Sequence, residues 1–119
     1  MFEVLAGKKY HSRNRLGLII LDSNLEIGLK EFLVNNKEYY SDGDISKLFT
    51  KRHLVIAEIK KHISINDDYW KKSSHYNNLR NKLIHERATV DITDYQLADF
   101  SEVVEHILSK LFGFDFSRI

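Results

Sequence analysis

The sequence predicts an all-α domain, and three observations carry that reading. Apolar residues recur every three or four positions over most of the 119-residue chain. There is no proline and there are only five glycines, so little interrupts a helical run. No stretch of alternating Val, Thr and Tyr marks a strand. The expected architecture is an up-and-down bundle of four to five helices, a single domain over residues 1–119. Residues 1–9 read as a semi-apolar lead-in or as the cut edge of a larger protein.

A long first helix is expected from about Tyr10 to Asn35. Leu18, Leu21, Leu25, Leu29 and Phe32 set its apolar stripe, and Leu16, Ile20, Ile27 and Val34 widen it. So broad a face suits a central helix with neighbours on two sides. Gly17 and Gly28 lower helix propensity, which points to close helix packing at both. Asp22, Glu26 and Lys30 follow at four-residue spacing and read as a solvated stripe, or alternatively as an acidic rim near a site. A polar loop from Asn35 leads to Ser41-Asp42-Gly43-Asp44, which opens the second helix. That helix runs to about Ile63, with room for a break near Thr50. Ile45, Leu48, Phe49, Arg52, Ile56, Ile59 and Ile63 trace one face, and Lys51, Arg52, Lys60 and Lys61 read as solvated charge. After a turn at Ser64–Asp68 the third helix continues to about Glu86, its apolar positions being Tyr69, Tyr76, Leu79 and Leu83. Residues Arg87–Ile92 form a linker.

The last helix has the clearest start. Thr93-Asp94-Tyr95-Gln96 is a capping box, with Ile92 and Leu97 at the two positions of a hydrophobic staple. Leu97, Phe100, Val104, Ile107, Leu108 and Leu111 form its core stripe, and Gly113 is the expected stop. The tail Phe114-Asp115-Phe116 is apolar enough to pack on the domain or on a partner.

Composition narrows the function. The net charge is +1, too small for the strongly basic face of a dedicated nucleic-acid binder, although a local patch suffices for transient contact with RNA. With no cysteine, disulfides and cysteine-ligated zinc are excluded. No pair among the six histidines has zinc-helix spacing, and no Gly-rich phosphate loop or G-x-S-x-G elbow is present. No metal and no cofactor are therefore expected. The longest near-apolar run, Leu16 to Leu21, is too short to cross a bilayer, and no signal peptide is recognisable. A cytoplasmic protein is the simplest expectation. A 14 kDa bundle has a limited core, so a homodimer that buries further apolar surface is expected.

The chemistry concentrates in Asn78-Leu79-Arg80-Asn81-Lys82-Leu83-Ile84-His85-Glu86. At about 100° per residue, Asn77, Asn81 and His85 share one line of a helix, and Tyr76, Arg80 and Ile84 share the next. Arginine offers a fixed fork of donors to phosphate oxygens, histidine moves protons near neutral pH, and asparagine can orient an imidazole or bind phosphate. RNA carries its own nucleophile in the 2′-hydroxyl, so this set can serve phosphodiester chemistry without a metal.

Leu79-Arg80-Asn81-Lys82-Leu83-Ile84-His85-Glu86 resembles the R-x4-6-H signature of HEPN domains, including the polar Asn81 after the arginine and the apolar pair Leu83-Ile84 before the histidine. The wider pattern is similar too: a long opening helix, and one more amphipathic helix after the motif. The likeness spans about Tyr10 to Phe112. It implies a HEPN-like bundle and a metal-independent endoribonuclease of toxin–antitoxin or anti-phage systems, acting as a homodimer with both motif helices at one cleft. Arg80 and His85 would be the catalytic pair, with Asn81 assisting. The 2′-hydroxyl would attack the adjacent phosphate and leave a 2′,3′-cyclic phosphate. Arg87, Lys82 and Asn77 are the further candidate RNA contacts. Arg87 stands where HEPN toxins paired with a nucleotidyltransferase antitoxin often carry a tyrosine, so regulation through that tyrosine is not implied. The alternative expectation is a non-catalytic HEPN module, binding RNA or nucleotide or simply dimerising within a larger defence protein.

Overall fold

The computed structural model describes residues 2–35, 41–85 and 91–113, with side chains described from residue 13 onward. Every element among them is a helix: α1 (Phe2–Asn35), α2 (Asp42–Leu48), α3 (Arg52–His62), α4 (Asp67–His85) and α5 (Asp94–Phe112). Together they form a helical bundle in which α1 packs on α3, α4 and α5. At 1.5 Å per residue α1 is about 51 Å long, which accounts for the 55 Å long axis of the molecule. It begins at Phe2, eight residues before the expected start, so residues 2–9 are part of the first helix. The tail Phe114-Asp115-Phe116 lies outside the described residues.

Leu18, Leu25, Leu29 and Leu33 of α1 lie at the centre of the core with Val55, Ile59, Trp70, Tyr76, Phe100, Val103 and Ile107. Leu16, Ile20 and Ile27 do not widen this face as expected. They are 58–60% exposed, on the side of α1 turned away from the buried leucines. Gly28 explains how α5 comes so near: a Cβ there would collide with Leu108 Cδ2. At Gly17 a Cβ would stand 3.0 Å from Leu97 Cδ1.

The second predicted helix divides in two. Thr50 Oγ1 donates to the Lys47 carbonyl at 2.7 Å, and the backbone N–H groups of Thr50 and Lys51 reach back only three residues, to Lys47 and Leu48. A hydroxyl that competes for a helix carbonyl, together with tightened bonds, ends α2. The break lets Ile45 and the Val55–Ile59 pair both face the core. The expected capping box forms at Thr93/Gln96, and a second one closes the start of α2 at Ser41/Asp44. Gly113 closes α5 in the left-handed region at φ 71°, where a side chain would be strained. Asn14, buried in α1, donates to the Ile92 carbonyl at 2.9 Å and to Asp94 at 2.8 Å, and so fastens the start of α5 to α1.

Candidate functional site

The site is built around a carboxylate. Asp22 occupies a position in register with Leu18, Leu25 and Leu29, so the helix that buries them carries Asp22 inward too. Only 2% of it is exposed. Arg52, at the start of α3, donates from Nη1 to Asp22 Oδ1 at 2.8 Å. Asn77 of α4 donates its amide to both carboxylate oxygens, at 3.1 and 3.4 Å. Arg80 approaches from one turn further along α4, with Nε 3.7 Å from Asp22 Oδ2. That is ion-pair distance but too long for a hydrogen bond. The solvated reading of Asp22 and of Arg52 is thereby corrected: both charges face inward because each stands on the apolar face of its helix, and each compensates the other.

The set continues along α4. Arg80 Nη1 donates to Asn81 Oδ1 at 3.2 Å, and the Asn81 amide reaches back to Asn77 Oδ1 at 3.5 Å. Asn81, Arg80, Asp22 and Asn77 thus close a ring, with Arg52 attached. Two guanidinium groups surround one carboxylate, which leaves the cluster with one positive charge in excess. Two of its buried N–H groups, Arg52 Nη2 and Arg80 Nε, have no hydrogen-bond acceptor among the described residues. Buried donors are seldom left so, and a surplus of positive charge with free donors is the environment a phosphate oxygen fits.

The structure therefore brings together Arg80, Asn81 and Asn77 of the sequence-derived candidates, and adds Asp22 and Arg52. His85 is the last residue of α4, exposed and outside this network. It lies about 140° round an ideal helix from Arg80 but only about 40° from Asn81. Lys82 is exposed, about 200° round the helix from Arg80. Arg87 lies outside the described residues. Asp22 and Arg52 had a signal in the sequence: opposite charges placed in the apolar registers of two different helices.

A second polar cluster joins α4 to α5. The buried Tyr76 stacks on Phe100 and donates to Asp99 at 2.8 Å, while Lys72 holds the same carboxylate at 3.0 Å. Burial first, then the bond to Asp99, pushes the Tyr76 phenol well above its ordinary value. The Tyr76 hydroxyl, and after it Lys72, draws the Asp99 carboxyl below the usual range. A tyrosine held so firmly protonated is no base, and this cluster serves as a latch. No group of three His, Asp or Glu among the described residues is placed to hold a metal ion. No helix among them is long and apolar enough to cross a membrane. Comparison with protein-family models, with curated proteins and with solved structures finds no match.

Proposed function

We propose that this chain is a metal-independent endoribonuclease of the HEPN type. The observation that carries the reading is the Arg52–Asp22–Arg80 cluster, gathered from α3, α1 and the motif helix α4, with its excess positive charge and its two donors lacking acceptors among the described residues. In this reading the 2′-hydroxyl of RNA attacks the adjacent phosphorus while His85 carries a proton, either taken from that hydroxyl or given to the departing 5′-oxygen. A P–O2′ bond forms, the P–O5′ bond breaks, and the products are a 2′,3′-cyclic phosphate and a 5′-hydroxyl. Arg80 neutralises the charge gathering on the phosphoryl oxygens. Asp22 and Asn81 hold Arg80 in place, and Asn77 braces both of them.

Arg80 and His85 point to different sides of one helix, which suits a cleft shared by two copies, each offering its pair to the same RNA. The biological setting that goes with this activity is a toxin–antitoxin or anti-phage system in the cytoplasm, with an antitoxin or an associated defence protein as partner. Cleavage of RNA in EDTA, with analysis of the product ends, tests the proposal. The wild type is expected to leave cyclic phosphate ends, and His85→Ala to lose about a hundredfold or more of the rate, the usual share of a proton-transfer group. A folded wild type that cuts none of several RNAs overturns it. Binding without cleavage is the second reading, favoured by the separation of His85 from the Arg80 network; retained RNA binding by an inactive wild type would establish it.

A further inference from the structure

The cluster at Asp22 is one end of a groove. Helices α3 and α4 are joined by a short turn, and two adjoining hollows of about 550 and 240 Å³ lie between them. Both are lined by His53, Ile56, Ser74 and Asn78, so they form one trough. At the inner end stand Arg52 and Asn77 of the Asp22 cluster. At the outer end stand Lys60, Lys71 and Asp67, with His75 between the two ends. Asp67 is the sole carboxylate among the described residues of the lining; it contacts Lys60 at 3.4 Å and Lys71 at 3.7 Å, one negative charge against two positive ones. Trp70 lines the outer hollow, is 3% exposed, and its indole N–H has no acceptor among the described residues.

We infer that this α3–α4 groove receives a single-stranded RNA segment and leads it to the Arg80–His85 end of α4. The inference rests on the RNA-cleaving reading above and adds to it the path of the substrate. A trough with cations at its rim, the apolar Ile56 and Ala57 in its wall and the polar side chains of His53, Ser74 and Asn78 along it has the chemistry of a strand-binding channel. Phosphates meet the cations, and base edges or 2′-hydroxyls meet the polar groups. From Lys71 to His85 the groove and the motif cover about 21 Å of helix at 1.5 Å per residue, enough for a few nucleotides. A wider hollow of about 650 Å³ between α1 and α5, lined by Gly17, Ile20 and Leu97, has no residue of α4 in its walls and a mainly apolar surface. It offers a strand no comparable run of cations.

The test measures binding of a 2′-O-methyl RNA of about twelve nucleotides, within the usual site size of strand-binding proteins. This probe lacks the nucleophile, so binding is read apart from cleavage. Lys60→Gln with Lys71→Gln is expected to weaken binding about tenfold. It should also lower the slope of log affinity against log salt by about 1.4, two phosphate contacts at about 0.7 each. Trp70→Phe, which removes the indole N–H together with part of a buried ring, is expected to weaken binding a few-fold and to lower the thermal melt, so the lysine pair carries the test. Lys110→Gln, exposed on α5 and outside the groove, is expected to change nothing. If the groove variants bind as the wild type does while Arg80→Ala does not, the groove is overturned and the site reading stands. If the groove variants lose binding but no RNA is ever cut, the groove stands and the nuclease reading falls. No binding by the wild type, or equal binding of a poly-glutamate peptide, overturns the groove as an RNA path.

Discussion

Asp22 and Arg52 form a pair whose worth depends on both being present. A buried ion pair is a weak source of net stability, yet removing one partner strands the other charge away from water and costs about 3–5 kcal/mol. Asp22→Ala strands two guanidinium groups, so a loss of about 3 kcal/mol is expected in urea unfolding, the low end because Arg80 is partly exposed. In a double-mutant cycle of Asp22→Asn and Arg52→Met the coupling should exceed about 1 kcal/mol; additive effects would mean that the pair is not formed. If the chain binds RNA as proposed, Arg80→Lys is expected to lose most of that affinity although the charge is kept. A lysine ammonium is a single point and cannot hold Asn81 and a phosphate in the fixed fork that arginine offers. The Tyr76–Asp99 bond gives a pH dependence of known sign. The Asp99 pKa is lowered by folding, so its contribution is present above the unfolded value near about 3.9 and is lost as pH falls through the lower folded value. The Tyr76 pKa is raised, so its contribution is present below about pH 10 and fades as pH rises through the higher folded value. Tyr76→Phe should cost about 1.5 kcal/mol near pH 7, the worth of a hydrogen bond to a charged group. The gap to the wild type should narrow below pH of about 4, as Asp99 takes up its proton.

At the scale of the element, the helix ends and close contacts make separable predictions. Thr93 Oγ1 accepts from the Gln96 N–H at 3.1 Å, and Gln96 Oε1 accepts from the Thr93 N–H at 3.0 Å. Thr93→Ala removes one arm of this box and is expected to cost about 1 kcal/mol. The cost falls on α5, which carries five buried residues and is tied at its start to Asn14. Two glycines in helices should respond in opposite directions. Gly43, in the first turn of α2, faces only the Ser41 hydroxyl at 3.9 Å, so Gly43→Ala should raise stability by up to about 1 kcal/mol through helix propensity. Gly28→Ala drives its methyl into Leu108, and the overpacking of about 1–3 kcal/mol outweighs the same propensity gain. A thermal melt that ranks Gly43→Ala above the wild type and Gly28→Ala below it bears out both.

For the whole molecule the decisive quantity is the number of chains in solution. Leu16, Ile20 and Ile27 share one side of α1 at four- and seven-residue spacing, each more than half exposed. An uncovered apolar strip of this kind on a small bundle is what a second copy would bury. A copy seated there lies on the side of α1 away from Asp22 and Arg80, so the shared cleft needs the motif helices themselves to meet. A solution mass of two chains is expected for the wild type, and Ile20→Glu with Ile27→Glu should reduce it to one chain with helical content unchanged. A wild type that runs as one chain at working concentration removes the shared cleft, and with it the placement of Arg80 and His85 from two copies around one phosphate.

What the sequence determined by itself was everything written in local periodicity and turn chemistry. The all-helical class, the α5 boundaries from Thr93 to Gly113 and the cluster of polar residues near Arg80 all follow from patterns within a few residues. The break at Thr50 was legible only as an option, because a back-bonding hydroxyl can bend a helix or end it. What tertiary structure alone decided was which side of each helix is covered. The wide apolar face of α1 left Leu16 and Ile20 indistinguishable from Leu18 and Leu25, and only the seating of α3, α4 and α5 buried one set and exposed the other. The same seating turned Asp22 and Arg52 from surface charges into a pair. A helix repeats its pattern without knowing its neighbours, and the two residues are thirty positions apart. Their meeting is a property of packing, and so is the surplus charge that arises where Arg80 joins the pair.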